Sequence, residues 1–139
     1  MKNSANTLLA QGLLVILGMG FMFERLDVYQ RAVNLAETVF KLAEELPRGQ
    51  ASLADQFKRA AMSISLNIAE GNGRWHSKER RNFFLIARGS VFECVPLLEL
   101  CRRQKWVTDD YAKNLKEELE ILAKMLSALI KGTDEKREH

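Results

Sequence analysis

The sequence predicts an all-α protein, an antiparallel up-down-up-down four-helix bundle, on three observations. Apolar residues recur every three or four positions along four successive segments, the period of a helix with one buried face. Only two prolines, Pro47 and Pro96, occur in 139 residues, and no useful stretch alternates with the period of two that a strand requires. The connections between segments are short, so consecutive helices should be antiparallel neighbours. A chain of 139 residues suits one domain with one core.

The first helix spans Asp27 to Leu46. Val28, Ala32, Leu35, Val39, Leu42 and Leu46 form its core stripe, Tyr29, Val33, Ala36, Phe40 and Ala43 widen it, and Pro47 with Gly49 stops it. The second runs from Ser52, a candidate N-cap with Asp55 in the first turn, to about Glu70. Its stripe is Phe57, Ala61, Ile64 and Ile68, and Gly71-Asn72-Gly73 ends it. The third spans Ser77, again a candidate cap, to about Gln104, with Phe83, Ile86, Ala87, Val91, Cys94, Leu97, Leu98 and Cys101 apolar. Pro96 inside it removes one backbone hydrogen bond and predicts a kink near Phe92, or else two shorter helices. Thr108 caps a fourth helix reaching about Lys131, with Tyr111, Leu115, Leu119, Leu122, Leu126 and Leu129 facing the core and Ile121, Met125 and Ala128 beside them. Gly132 is expected to end it, leaving 133–139 as a disordered charged tail and 23–132 as the folded domain.

Residues 1–22 form an apolar extension of a different kind. Leu8–Phe23 is greasy but broken by Gln11 and weakened by Gly12, Gly18 and Gly20. Its uninterrupted run is shorter than the roughly 18–20 residues a membrane span needs, and no A-x-A-like cleavage site follows. Three readings stand: translation from an upstream start ahead of Met19 or Met22, an apolar tail packed on the bundle or a neighbouring subunit, and an export or membrane signal.

The net charge of +3 is mild, but it is unevenly placed. Residues 71–105 carry eight basic and three acidic groups, a local excess able to attract phosphate. Cys94 and Cys101 lie on one helix, about 10 Å apart at 1.5 Å per residue, beyond disulfide reach. Their spacing fits no zinc motif, and both are expected as buried apolar residues of a reducing, cytoplasmic compartment. His76 and His139 are the two histidines, so the Glu-x-x-His pairs of a di-metal bundle are missing, and a Cys–His nucleophile pair would have to join different heights of the bundle. The GNGR run lacks the strand–loop–helix setting of a phosphate loop. No metal, cofactor or catalytic residue is expected.

The basic candidates are Lys58, Arg59, Arg74, His76, Lys78, Arg80, Arg81 and Arg88, with Trp75 among them, a combination that can hold a nucleic-acid backbone and stack a base. Arg102, Arg103, Lys105 and Trp106 make a second cluster at the far end of the third helix. The competing reading makes both clusters solvated bundle ends whose tryptophans plug the core. Ser63, Asn67 and Glu70 share one helix face, with Ser90 and Glu93 on the next helix; they are expected as a structural polar network, with a polar site at a subunit interface as the alternative.

The runs FERLDVYQRAVNLA (23–36), SISLNIAEGNGR (63–74), FFLIARGSVFE (83–93) and MLSALIKG (125–132) resemble the four-helix bundle proteins encoded in intervening sequences of bacterial 23S ribosomal RNA genes. The accessory variability determinant proteins of diversity-generating retroelements look like relatives. The resemblance covers Phe23 to Gly132, and Pro96 departs from it. It implies a ring-like homopentamer without enzymatic activity. It also favours a start near Met22, where members of the family commonly begin. The retroelement relatives bind nucleic acid and a reverse transcriptase, whereas the role of stand-alone members is unknown. The expectation is a non-enzymatic oligomer that binds RNA or DNA through a basic face. The alternative is a protein-interaction scaffold.

Overall fold

The computed structural model describes Leu9 and residues 21–137. A 3-10 turn, Met22–Arg25, leads into four helices: α1 (Asp27–Glu45), α2 (Ala51–Asn72), α3 (Ser77–Arg103) and α4 (Asp109–Arg137). No strand occurs among the described residues. Each helix packs along the next, and α1 closes more loosely on α4. The contacts Gly71–Phe84 and Ser63–Ser90 run α2 antiparallel to α3, and Arg81–Asp134 with Arg88–Ser127 runs α3 antiparallel to α4. Of the apolar extension 1–22, Leu9, Phe21 and Met22 are the described residues, and the rest of it, with the three readings made for it, falls outside them.

The expected stripes of α1 and α2 are the buried ones, except that Leu46 is half-buried and Val33, expected to widen the α1 face, is exposed. Val28, Ala32, Leu35, Val39 and Leu42 line one side of the core, and Phe57, Ala61, Ile64 and Ile68 the other. Each fully buried Ile or Phe contributes about 1.5–3 kcal/mol of transfer free energy. In α3 the register differs from expectation: Phe84, not Phe83, is buried, and Ile86 points to solvent. Neighbouring helical residues point about 100° apart, so only one Phe of the pair can face inward. Phe84 fills the space left by Gly71, where a Cβ would come 2.7 Å from the Phe84 ring. In α4 the buried line is Ala112, Leu115, Leu119, Leu122, Leu126 and Ile130, with Tyr111 exposed and Leu129 at the edge.

Three helix ends depart from expectation. Ser52 and Ser77 are not caps: Gln50 and His76 hold those positions, neither with a side-chain cap bond. Thr108 does cap α4, its Oγ1 accepting from the Tyr111 N–H at 3.1 Å. Gly132 does not end α4, and residues 133–137 are helical, not a disordered tail. Thr133 continues the core line and is buried, its hydroxyl donating to the Ile130 carbonyl at 2.6 Å. Asp134 pairs with Arg81 of α3. Helix α3 is one unbroken run through Pro96, so the pair of shorter helices is not adopted. Pro96 and Phe92 both sit on the solvent side, where water can satisfy the carbonyl that the proline leaves without a donor.

Candidate nucleic-acid interface

The α2–α3 loop is the most distinctive surface feature. Gly73 ends α2, its N–H bonding to the Ala69 carbonyl at 3.1 Å, and α3 starts four residues later. The short reversal displays Arg74, Trp75, His76 and Lys78 at one end of the bundle. Trp75 is 50% exposed, which a core plug would not be. Lys78 is exposed and makes no ion pair among the described residues. Arg74 is partly committed: it pairs with Glu70 at 2.9 Å and its guanidinium stands 4.8 Å from the Phe83 ring centroid.

The remaining basic candidates, Arg59 apart, are held elsewhere. Arg80 is half-buried, donates to the Asn72 carbonyl at 3.1 Å and so closes the C-terminus of α2. Burial lowers its pKa, and its Nε is buried without a partner among the described residues. Arg80 thus belongs to the scaffold of the loop more than to its binding face. Arg81 reaches Asp134. Arg88 donates to Ser127 at 2.9 Å and lies 4.5 Å over the Phe92 ring. Lys58 pairs with Asp55 at 3.5 Å and leans over Phe40. Arg59 is exposed. At 1.5 Å per residue Lys58 and Arg59 lie about 23 Å down α2 from Arg74, so the eight residues do not form one cluster.

The other end is wired differently. Glu99 takes hydrogen bonds from Arg102 at 2.6 Å and from Arg103 at 3.1 Å, and Arg102 also reaches Asp109 at 3.4 Å. Those bonds hold the Glu99 carboxyl down at about 2. Trp106 is packed against the core, as the plug reading expects.

Part of the expected polar network forms. The Ser90 hydroxyl donates to Ser63 Oγ at 2.8 Å, and Asn67 Nδ2 donates to Ser63 Oγ at 3.0 Å and to the Ser63 carbonyl at 2.7 Å. This clasp ties α2 to α3. Glu70 turns instead to Arg74, and Glu93 is exposed, with no hydrogen bond among the described residues. Cys94 and Cys101 are buried free thiols, and burial pushes Cys94 up to about 12, away from the thiolate a nucleophile needs.

Sequence reasoning missed a groove of about 630 Å³ between α1 and α4. Leu35 and Leu115 form its floor, and Asp27, Arg31, Asn34, Asn114 and Glu118 are among its walls. Arg31 sits between Asp27 at 3.2 Å and Glu118 at 3.3 Å. The polar walls look like ordinary solvated helix faces in the sequence, and only the loose α1–α4 seam makes them a cleft. No group of three or more acidic, His or Cys side chains able to hold a metal ion occurs among the described residues, and none of their helices is long and apolar enough to cross a membrane.

Fold and site together define an all-α, four-helix protein with one inter-helix loop that exposes Arg74, Trp75 and Lys78. The chain belongs to the 23S rRNA-intervening sequence protein family, which it matches over residues 24–128. It is also similar to a solved protein of unknown function from the S23 ribosomal protein family of Bacteroides thetaiotaomicron. Identity is 24%, the match covers 75% of this chain and 98% of that one, and the TM-score is 0.70. That likeness speaks for the fold alone. No curated protein matches the chain.

Proposed function

We propose that this protein is a cytoplasmic, non-enzymatic homo-oligomer that binds nucleic acid, RNA in the first instance, through the loop end formed by Arg74, Trp75 and Lys78. The half-exposed Trp75 between two basic residues carries the reading. Cations neutralise the backbone and release counterions, while a free indole face stacks an unpaired base. Arg59, Arg81 and Arg88 would add longer-range attraction. A ring-like pentamer, the assembly implied by the family resemblance, would repeat a weak patch around an axis and raise its avidity. Filter binding of single-stranded RNA at two salt concentrations tests the proposal. Affinity should fall steeply with salt, and a chain that shows no salt-dependent binding below about 100 μM rejects it, since non-specific binding normally lies at ~10⁻⁴–10⁻⁶ M.

A second reading, a scaffold that docks another protein, draws on the exposed apolar residues of α3. Co-purification of a defined protein that survives nuclease treatment would favour it.

A further inference from the structure

In the α1–α4 groove the fold leaves hydrogen-bonding groups unused above an apolar floor. The Arg31–Glu118 contact sets the register of the two helices. One helical turn of about 5 Å further along, Asn34 and Leu35 come level with Asn114 and Leu115, and Thr38 and Tyr111 follow after another turn. Most of the polar groups along this ladder are engaged. Arg31 is held between Asp27 and Glu118, Gln30 Nε2 donates to the Glu24 carbonyl at 2.6 Å, and the Thr38 hydroxyl donates to the Asn34 carbonyl at 3.0 Å. The side-chain amides of Asn34 and Asn114 are exposed on the two walls beside Leu35 and Leu115 and make no hydrogen bond among the described residues. Each amide carries donors and an acceptor side by side.

Three features decide what such a cleft can hold. Its volume of about 630 Å³ falls in the range of roughly 300–1,000 Å³ typical of small-molecule sites. Its ionic groups pair with one another, and one guanidinium against two carboxylates leaves no positive charge to hold a phosphate or a carboxylate. Beyond the Met22–Arg25 turn, the exposed large apolar side chains of α1 and the described part of α4 are Val33 and Tyr111, too little apolar surface at the rim to seat another helix. An uncharged flat molecule with an apolar face and a donor–acceptor edge meets all three conditions. A nucleobase has that form, and an Asn amide pairs with adenine through N6 and N7. Tyr111 at the end of the ladder offers a ring for contact with its face.

We infer that the α1–α4 groove is a nucleobase site, which seats an adenine-type ring on the Leu35–Leu115 floor with its edge toward the Asn34 and Asn114 amides. A free nucleoside and an unpaired base of an RNA strand share this chemistry. The site is separate from the Trp75 loop and does not rest on the reading of that loop.

Equilibrium dialysis of the full chain against adenosine tests the inference. Adenosine should bind saturably, and Asn34→Leu and Asn114→Leu should each weaken it about tenfold, because each removes an edge contact and keeps the apolar floor. Purine riboside, which lacks the 6-amino donor, should bind more weakly than adenosine by a similar factor. Trp75→Ala should leave adenosine affinity unchanged. The inference is overturned by no saturable binding below about 1 mM, the weak end of the affinity scale. It is equally overturned if both Leu variants bind normally, if purine riboside binds as well as adenosine, or if Trp75→Ala abolishes binding, which would place the base on the loop. Circular dichroism confirms folding, and Asn34→Ala and Asn114→Ala replace a Leu variant that fails to fold. Oligoadenylate that displaces adenosine and loses affinity in Asn114→Leu makes an RNA strand the source of the base, and oligoadenylate that leaves adenosine in place makes it the free nucleoside. Filter binding of RNA to the Trp75→Ala and Asn114→Leu chains keeps the two proposals apart, since failure of the loop reading leaves adenosine binding intact and failure of the groove leaves the loop's salt-dependent RNA binding intact.

Discussion

At the α2–α3 end of the bundle Trp75 stands half exposed beside Lys78, which has no ion pair among the described residues, whereas at the α3–α4 end Trp106 lies against the core beside arginines already held by Glu99 and Asp109. Both ends carry a tryptophan within a basic run, so composition does not separate them. Backbone geometry does. After α3 the chain makes a Schellman turn: Lys105 is left-handed at φ 62°, its N–H bonds to the Arg102 carbonyl, and the Trp106 N–H bonds back to Cys101 at 3.0 Å. That turn brings Trp106 back against the core cluster. After α2, Gly73 stays right-handed at φ −82° and the chain runs outward into Trp75. A tryptophan at a helix end is thus a plug or a platform according to the turn that delivers it.

The largest expected difference between the ends comes from removing each ring. Trp106→Ala should destabilise the fold by about 2–3 kcal/mol, somewhat below the full Trp truncation range because the ring is only half-buried. It should leave RNA affinity unchanged. Trp75→Ala should do the reverse, changing stability by less than about 0.5 kcal/mol and weakening RNA binding by ~1–3 kcal/mol. Urea denaturation and filter binding on both variants check this. Equal stability losses would make Trp75 a plug after all.

Next in size are the glycines that frame the comparison. Gly71→Ala should cost about 1–3 kcal/mol, because its Cβ would meet the fully buried Phe84 ring, which cannot withdraw. Gly132 has nothing within 4 Å of its Cβ position and lies inside α4, so Gly132→Ala should stabilise by about 0.5–1 kcal/mol. Thermal melts of the two variants should move in opposite directions. These positions also mark how far the sequence could be read. The stripes of α1 and α2 were legible because one spacing fits each of them. Gly132 reads as a stop because a glycine late in a helix is usually one, but Ile130 and Thr133 extend the buried line past it. The choice between Phe83 and Phe84 was not legible, since it depends on the gap at Gly71 across the helix pair. The exposed Trp75 could not be told from the packed Trp106, because the two turns differ only in backbone sign. The α1–α4 groove was hidden for a similar reason: its looseness belongs to the assembled bundle and to no single helix.

The Schellman turn itself supplies a smaller effect. Lys105 holds a left-handed conformation that a side chain disfavours by about 1 kcal/mol, so Lys105→Gly should raise stability by roughly that amount. Trp106 should stay packed, and its fluorescence should not shift to the red. A destabilised variant would mean that the lysine side chain, not the backbone sign, anchors the turn.

The smallest expected effect tests whether the α3–α4 end is silent only because its charges are occupied. Glu99 is held down at about 2 by hydrogen bonds from Arg102 and then Arg103. With the folded-state value below the ordinary carboxylate range, the attraction is fully present above that range and is lost as pH falls toward 2. All three side chains are well exposed, so added salt should weaken the clamp and its stability effect should be slight. Glu99→Gln removes the charge that engages both arginines. RNA affinity should then rise modestly, about severalfold at low salt, with a steeper salt dependence as two more cations meet phosphate. Filter binding across a salt series on this variant and on Glu99→Gln combined with Trp75→Ala measures it. If the gain persists in the double variant, the second end has become an independent site. If affinity does not rise at all, the difference between the two ends lies in the packed indole and not in the paired arginines.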